Sequence, residues 1–218
     1  MKKIKKGNNM ICRDKVIFSC LIAAGLGAAG GYIFSSKFCA VTIVNRVGQA
    51  LSSNQNLINL FNEQAFSTSS LIRSVFFNLP DAQAQADHLS TSQNKIVDAL
   101  HSFYGTPIST GLRPLFDRNK DLIIQLARLA REKQQLNQTT DALRKNSDEI
   151  AKTINDLNAK NPHIAMNEIP FLISQQVIAL QNNNWKNALD YSEQSRSSFE
   201  RVAEQVNNAI ATQFPQKI

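Results

Sequence analysis

The sequence predicts an all-α protein: an up-and-down helix bundle of about six helices over residues 56–218, preceded by one N-terminal transmembrane helix. Three observations carry that expectation. Val16 to Ser36 contains no charged side chain and is about as long as the roughly 20 residues a helix needs to cross a bilayer. From Asn56 onward the apolar residues recur at steps of three and four, the period of a helix with one buried face. No run of β-branched residues bounded by turn signals competes with that reading.

The first segment to justify is the N terminus. Residues 1–15 carry Lys2, Lys3, Lys5, Lys6, Arg13 and Lys15 against Asp14 alone, which accounts for most of the formal charge of +7. Positive charge is retained on the cytoplasmic side, so this tail is expected inside and everything after Lys37 outside. A cleaved signal peptide is the alternative, because Ala28, Ala29 and Gly30 are small residues of the kind a signal peptidase accepts. The apolar stretch is long for a signal core, and both readings carry the bundle outward. Within the span, Ala23, Gly27 and Gly31 recur every four residues and share one helix face, where small side chains allow two copies to approach closely. The plain alternative is that small residues are common in such spans.

With the tail set aside, the rest of the chain is close to neutral, and a nearly neutral domain offers no surface for tracking phosphates. Nucleic acid is therefore excluded as a partner. Cys12, Cys20 and Cys39 all precede the bundle, which for that reason relies on no disulfide and no thiolate metal site.

Residues 37–55 read as a linker with some helical spacing at Val44, Val47 and Leu51. A first helix is predicted from Asn56 to Asn78, stopping before Leu79-Pro80, and a second from about Asp81 to Tyr104, with Gly105 as its C-terminal glycine. Thr106-Pro107 opens the third, which reaches about Lys133 with Gly111 and Pro114 in its first turns. The fourth begins near Thr139 or Thr140 and ends before Asn161-Pro162; the fifth covers Glu168 to Gln181; the sixth covers Trp185 to Thr212 and stops at Phe214-Pro215. Ala188, Ser192, Ser195, Phe199, Val202, Val206 and Ala209 form a heptad-like seam along the sixth, as expected of a helix packed at a small crossing angle.

Projection of each helix places polar residues inside apolar stripes. Gln64 and Thr68 fall among Leu57, Phe61, Leu71, Ile72 and Val75; Ser92 and Gln93 among Leu89, Ile96, Leu100 and Phe103. Asn119 lies among Leu112, Leu115, Leu122, Leu126 and Leu129, Asn146 among Leu143, Ile150 and Leu157, and Gln176 among Ile169, Ile173 and Leu180. A buried amide left unpaired costs about 1–3 kcal/mol, so groups recurring on five helices are expected to meet and to satisfy one another, water or a ligand. That gives either a hydrogen-bonded layer fixing helix register or a small polar-ligand site made from Gln64, Thr68, Gln93, Asn119, Asn146 and Gln176.

Catalysis, metal binding and a cofactor find no support in the pattern. His88, His101 and His163 have no helical partner at ligand spacing, Glu193 and Glu204 read as a solvated edge, and no Ser, Cys or Lys has a positioned base beside it.

Phe103-Tyr104-Gly105, Asn146 with Asp148-Glu149-Ile150-Ala151, Asn161-Pro162 and Gln213-Phe214 together resemble, over residues 62–214, an uncharacterised family of bacterial helical-bundle proteins with no known activity. The resemblance implies histidines at the places of Gln64, Asn119 and Gln176 and acidic residues at those of Glu193 and Glu204. Three imidazoles with carboxylates would look like a metal or polar-ligand site, but amides are feeble ligands for transition metals. The resemblance therefore implies the fold and the polar layer, and argues against a metal.

The functional expectation is a single-pass, membrane-anchored, non-enzymatic bundle with a cytoplasmic N terminus. It would act outside the cytoplasm, in the periplasm of a Gram-negative source, by self-association or by binding another envelope protein. The alternative is an extracytoplasmic module, sensory or ligand-binding, that uses the amide-lined core.

Overall fold

The computed structural model describes residues 56–158 and 164–215. The basic tail, the span from Val16 to Ser36, the linker 37–55, and the Asn161-Pro162 turn with His163 lie outside the described residues. Among the described residues there are six helices and no strand. We label them α1 (56–76), α2 (Ala82–Tyr104), α3 (Thr106–Arg131), α4 (Asn137–Asp156), α5 (Glu168–Gln181) and α6 (Trp185–Gln213). None of them is long and apolar enough to cross a membrane.

The helix ends follow local backbone chemistry. α1, α3 and α5 each stop at a residue in the left-handed region, Asn78 (φ 52°), Lys133 (φ 55°) and Asn183 (φ 58°). In each case the next amide reaches back to close the last turn: Leu79 to the Ser74 carbonyl at 2.8 Å, Gln134 to Leu129 at 2.9 Å and Asn184 to Ala179 at 2.8 Å. Gly105 (φ 71°) separates α2 from α3, and Pro107 sits in the first turn, where its missing N–H is harmless. α3 runs on through Pro114. α4 begins earlier than expected, at Asn137, because buried Leu136 anchors the entering chain, and it ends at Asp156, short of Asn161.

Side-chain contacts fix the direction of each pair. Ser67 meets His88 while Glu63 meets Lys95, so α1 and α2 are antiparallel. Arg113 meets Asp98 and Lys120 meets Ser90 between α2 and α3, and Glu168 meets Ser198 between α5 and α6. α6 returns beside α1, with Ser192 against Ser69 and Trp185 against Phe77. α5 is the central element: nine of its fourteen residues are buried, it packs on α3, α4 and α6, and Gln176 reaches Ser69 of α1.

One sequence expectation shifts in phase. On α3 the buried face is Leu112, Phe116, Asn119, Ile123, Leu126, Ala127 and Ala130, whereas Leu115, Leu122 and Leu129 are only half-buried. α3 contacts α2, α4 and α5 at once, and its buried face turns by about one residue to serve all three.

At the end of the bundle where α2 stops, Phe214 packs edge-on against Tyr104, with centroids 5.2 Å apart, and tilted against Phe103 at 6.0 Å. Gln213 Nε2 donates to the Leu157 carbonyl at 2.9 Å, and Tyr104 Oη donates to Asn158 Oδ1 at 2.5 Å. Residues far apart in sequence thus close one end of the bundle.

Candidate functional site

All six polar residues singled out by the helical projection are buried: Gln64, Thr68, Gln93, Asn119, Asn146 and Gln176. The antiparallel register puts Gln64 and Gln93 at one level of the bundle. Mutual satisfaction, however, is not what the structure shows. None of the six bonds another. Asn146 Nδ2 donates to the Leu115 carbonyl at 3.0 Å, and Gln176 Oε1 accepts from Ser69 at a long 3.5 Å. Gln64 Oε1, Asn146 Oδ1 and both amide atoms of Gln93 are buried with no partner among the described residues.

Gln176 opens to a concave surface. It forms the floor, with Leu180, of a groove of about 420 Å³ whose walls are α1 and α6. α1 contributes Phe66, Ser69, Ser70 and Arg73, the turn after it contributes Phe77, and α6, with its antiparallel run, contributes Trp185, Ala188, Leu189, Ser192 and Glu193. Spacings of three and four along both helices put these side chains on facing stripes. Phe66 (67%), Leu189 (64%), Trp185 (53%) and Phe77 (41%) are unusually exposed for large apolar residues, and all four line this one groove. Beneath them Ser69 Oγ and Ser192 Oγ are 2.8 Å apart. Each hydroxyl has one proton, so Ser192 donates to Ser69 and Ser69 to Gln176 Oε1, which leaves the Gln176 amide N–H₂ group free to donate. Glu193 on the α6 wall is held by Arg196 Nε at 3.1 Å, whereas the Arg73 guanidinium on the α1 wall has no ion pair among the described residues.

Projection along single helices missed this groove. The signal in the sequence was a second set of large apolar residues, Phe66 on α1, Phe77 just after it and Trp185 and Leu189 on α6, lying off the core stripes.

A base beside a serine, not expected from sequence, is present. Ser67 Oγ lies 2.7 Å from His88 Nδ1, and His88 Nε2 lies 3.8 Å from Glu63 Oε1. The arrangement works as a strut between α1 and α2. Ser67 is fully buried and gives its only proton to the Glu63 carbonyl at 2.7 Å, so His88 donates to it and is not poised to take a proton. The Glu63 carboxylate is itself engaged by Lys95 at 2.7 Å. His101 bonds Ser109 at 3.0 Å in the α2–α3 turn. Among the described residues no group of three or more His, Cys, Asp or Glu side chains could hold a metal ion.

Tyr104 and Glu168 titrate away from their ordinary values, as does Asp81 before α2, which hydrogen bonds from the Gln85 and Ser74 side chains hold below its usual range. Burial pushes the Tyr104 phenol up to about 12, only partly offset by its bond to Asn158. The Ser198 hydroxyl, followed by the Arg201 guanidinium, holds the Glu168 carboxyl below its usual range at the start of α5. Both belong to helix-end contacts away from the groove.

The described domain is thus an antiparallel six-helix bundle with an aromatic-walled surface groove floored by a buried amide. In comparison with known proteins the chain matches no family model, no curated protein and no solved structure.

Proposed function

We propose that the chain is a non-enzymatic binding module anchored in a membrane by Val16 to Ser36, with residues 1–15 in the cytoplasm and the bundle on the opposite side. The α1–α6 groove binds a small molecule there. One observation carries the binding reading: four large apolar side chains stay exposed around a single concavity of about 420 Å³ with Gln176 at its floor. That volume lies within the ~300–1,000 Å³ of small-molecule sites, which combine apolar walls with a few placed polar groups. It favours a small ligand over a broad protein interface, which is flatter and larger. The topology rests on the charge asymmetry around the span, and pairing of two copies through Ala23, Gly27 and Gly31 rests on the shared small face.

Protease treatment of spheroplasts tests the topology: the bundle is degraded without lysis, and survival of the bundle until lysis contradicts it. A thermal-shift screen of the full chain against a small-molecule library tests the binding. Ligands that raise the melting temperature of the wild type but not of Leu189→Asp support the groove as the site. Equal responses in the two proteins place binding elsewhere.

A further inference from the structure

We infer that the α1–α6 groove selects a small carboxylate carried on an apolar body, an inference that rests on the binding reading above. Three features of the groove converge on that chemistry. Its walls are the faces of Phe66, Phe77, Trp185 and Leu189, which suit an aromatic or aliphatic body. Its two charged residues are not equivalent: Glu193 is already paired with Arg196, which also holds Glu200, while Arg73 has no ion pair among the described residues, so the unpaired charge on the groove wall is the guanidinium. Its floor offers a donor, because the chain from Ser192 through Ser69 consumes the Gln176 carbonyl oxygen and leaves the amide nitrogen without an acceptor among the described residues. Gln176 is itself only 3% exposed.

The placement of Arg73 matters as much as its charge. It lies one helical turn from Ser69 on α1 and four residues before Phe77 in the turn that follows, and so stands between the Ser69–Ser192 contact and the Phe77–Trp185 stack. A ligand whose body lies against the aromatic end brings its head group to the guanidinium. A carboxylate there accepts two charge-assisted hydrogen bonds, the strongest pairing available to arginine. An alcohol covers Arg73 without compensating its lost water, and an ammonium adds repulsion. Arg73→Lys retains the charge and loses the fork.

The test uses the sole tryptophan of the chain, Trp185, as the reporter. The full chain, held in phosphatidylcholine vesicles, is titrated with 4-phenylbutyrate, 4-phenylbutanol and 4-phenylbutylamine while tryptophan emission is followed. The acid is expected to bind about tenfold more tightly than the alcohol, and the amine more weakly than both. In Arg73→Gln the acid loses that advantage while the alcohol binds as in the wild type; in Arg73→Lys part of the advantage remains. Arg73 is exposed, so these variants fold, as circular dichroism checks. Equal affinity of acid and alcohol for the wild type, or a preference for the acid that survives in Arg73→Gln, overturns the inference and leaves the groove as a binding site. Failure of all three probes to change the emission overturns it as well, and when the library screen is also blank the binding reading falls with it.

Discussion

The indole of Trp185 stacks on the ring of Phe77, with centroids 5.4 Å apart and 29° between the ring planes. This contact joins the first turn of α6 to the turn that follows α1, and Phe76 meets Phe77 edge-on at 5.0 Å behind it. It holds the two groove walls at a fixed distance at one end, as the Ser69–Ser192 contact does further along. Aromatic pairs contribute about 0.5–1.5 kcal/mol beyond area burial. Phe77→Ala is therefore expected to destabilise the bundle by about 1 kcal/mol and to red-shift the tryptophan emission. An unshifted spectrum would mean that the stack does not persist in solution.

Gln93 is the clearest case of a buried polar residue without compensation, since neither amide atom has a partner among the described residues. Replacing it with Leu removes the unpaired groups and keeps the volume, and is expected to raise stability by about 1–3 kcal/mol in denaturant unfolding. Asn146→Leu should gain less, because it also breaks the 3.0 Å bond to the Leu115 carbonyl. A loss of stability in Gln93→Leu would show that its amide is satisfied in solution.

Gly111 is set by close approach between helices. A Cβ there would come within 2.7 Å of Thr153 Cγ2 on α4, and Thr153 is held in its rotamer by the bond from Oγ1 to the Glu149 carbonyl at 2.8 Å. In an exposed helix Gly→Ala would add about 1 kcal/mol. Here Gly111→Ala is expected to destabilise, and Gly111→Ala combined with Thr153→Ser to recover most of the loss. Equal effects of Gly111→Ala in the two backgrounds would place the strain elsewhere.

Tyr104 makes stability sensitive to alkali. Its folded pKa of about 12 lies above the ordinary 10.0, so the native state holds a proton that the unfolded chain has already released. The stabilisation is complete below pH 10 and is lost as the pH rises towards 12. A pH series of unfolding midpoints should show this decline, and Tyr104→Phe should flatten it while lowering stability at neutral pH through the stranded Asn158 oxygen. A spectroscopic titration in which Tyr104→Phe lacks no late-titrating tyrosinate would contradict the assignment.

The helices were legible because their signals are local. Gly105, Pro107 and the apolar period around Leu57 and Phe61 act within a few residues, and the amides stood out because they break that period. What local pattern could not supply was anything decided between helices. The phase of α3 depends on three neighbours, and the start of α4 depends on burial of Leu136 and not on a capping side chain. The Ser67–His88 contact joins residues 21 apart, and the groove joins Phe66 and Arg73 to residues more than a hundred positions away. The same limit applies to the amides: projection placed each inside the core but could not show that Gln176 lines a groove between α1 and α6.

The central claim is that the groove beside Trp185 is where this protein binds its ligand, and fluorine NMR addresses it most directly. The full chain carrying 5-fluorotryptophan has a single labelled site, because Trp185 is its only tryptophan. Compounds that raise the melting temperature should move that one resonance in the wild type and should leave it in place in Leu189→Asp. Stabilising compounds that leave the Trp185 resonance unmoved in the wild type would contradict the claim and put the binding site elsewhere on the molecule.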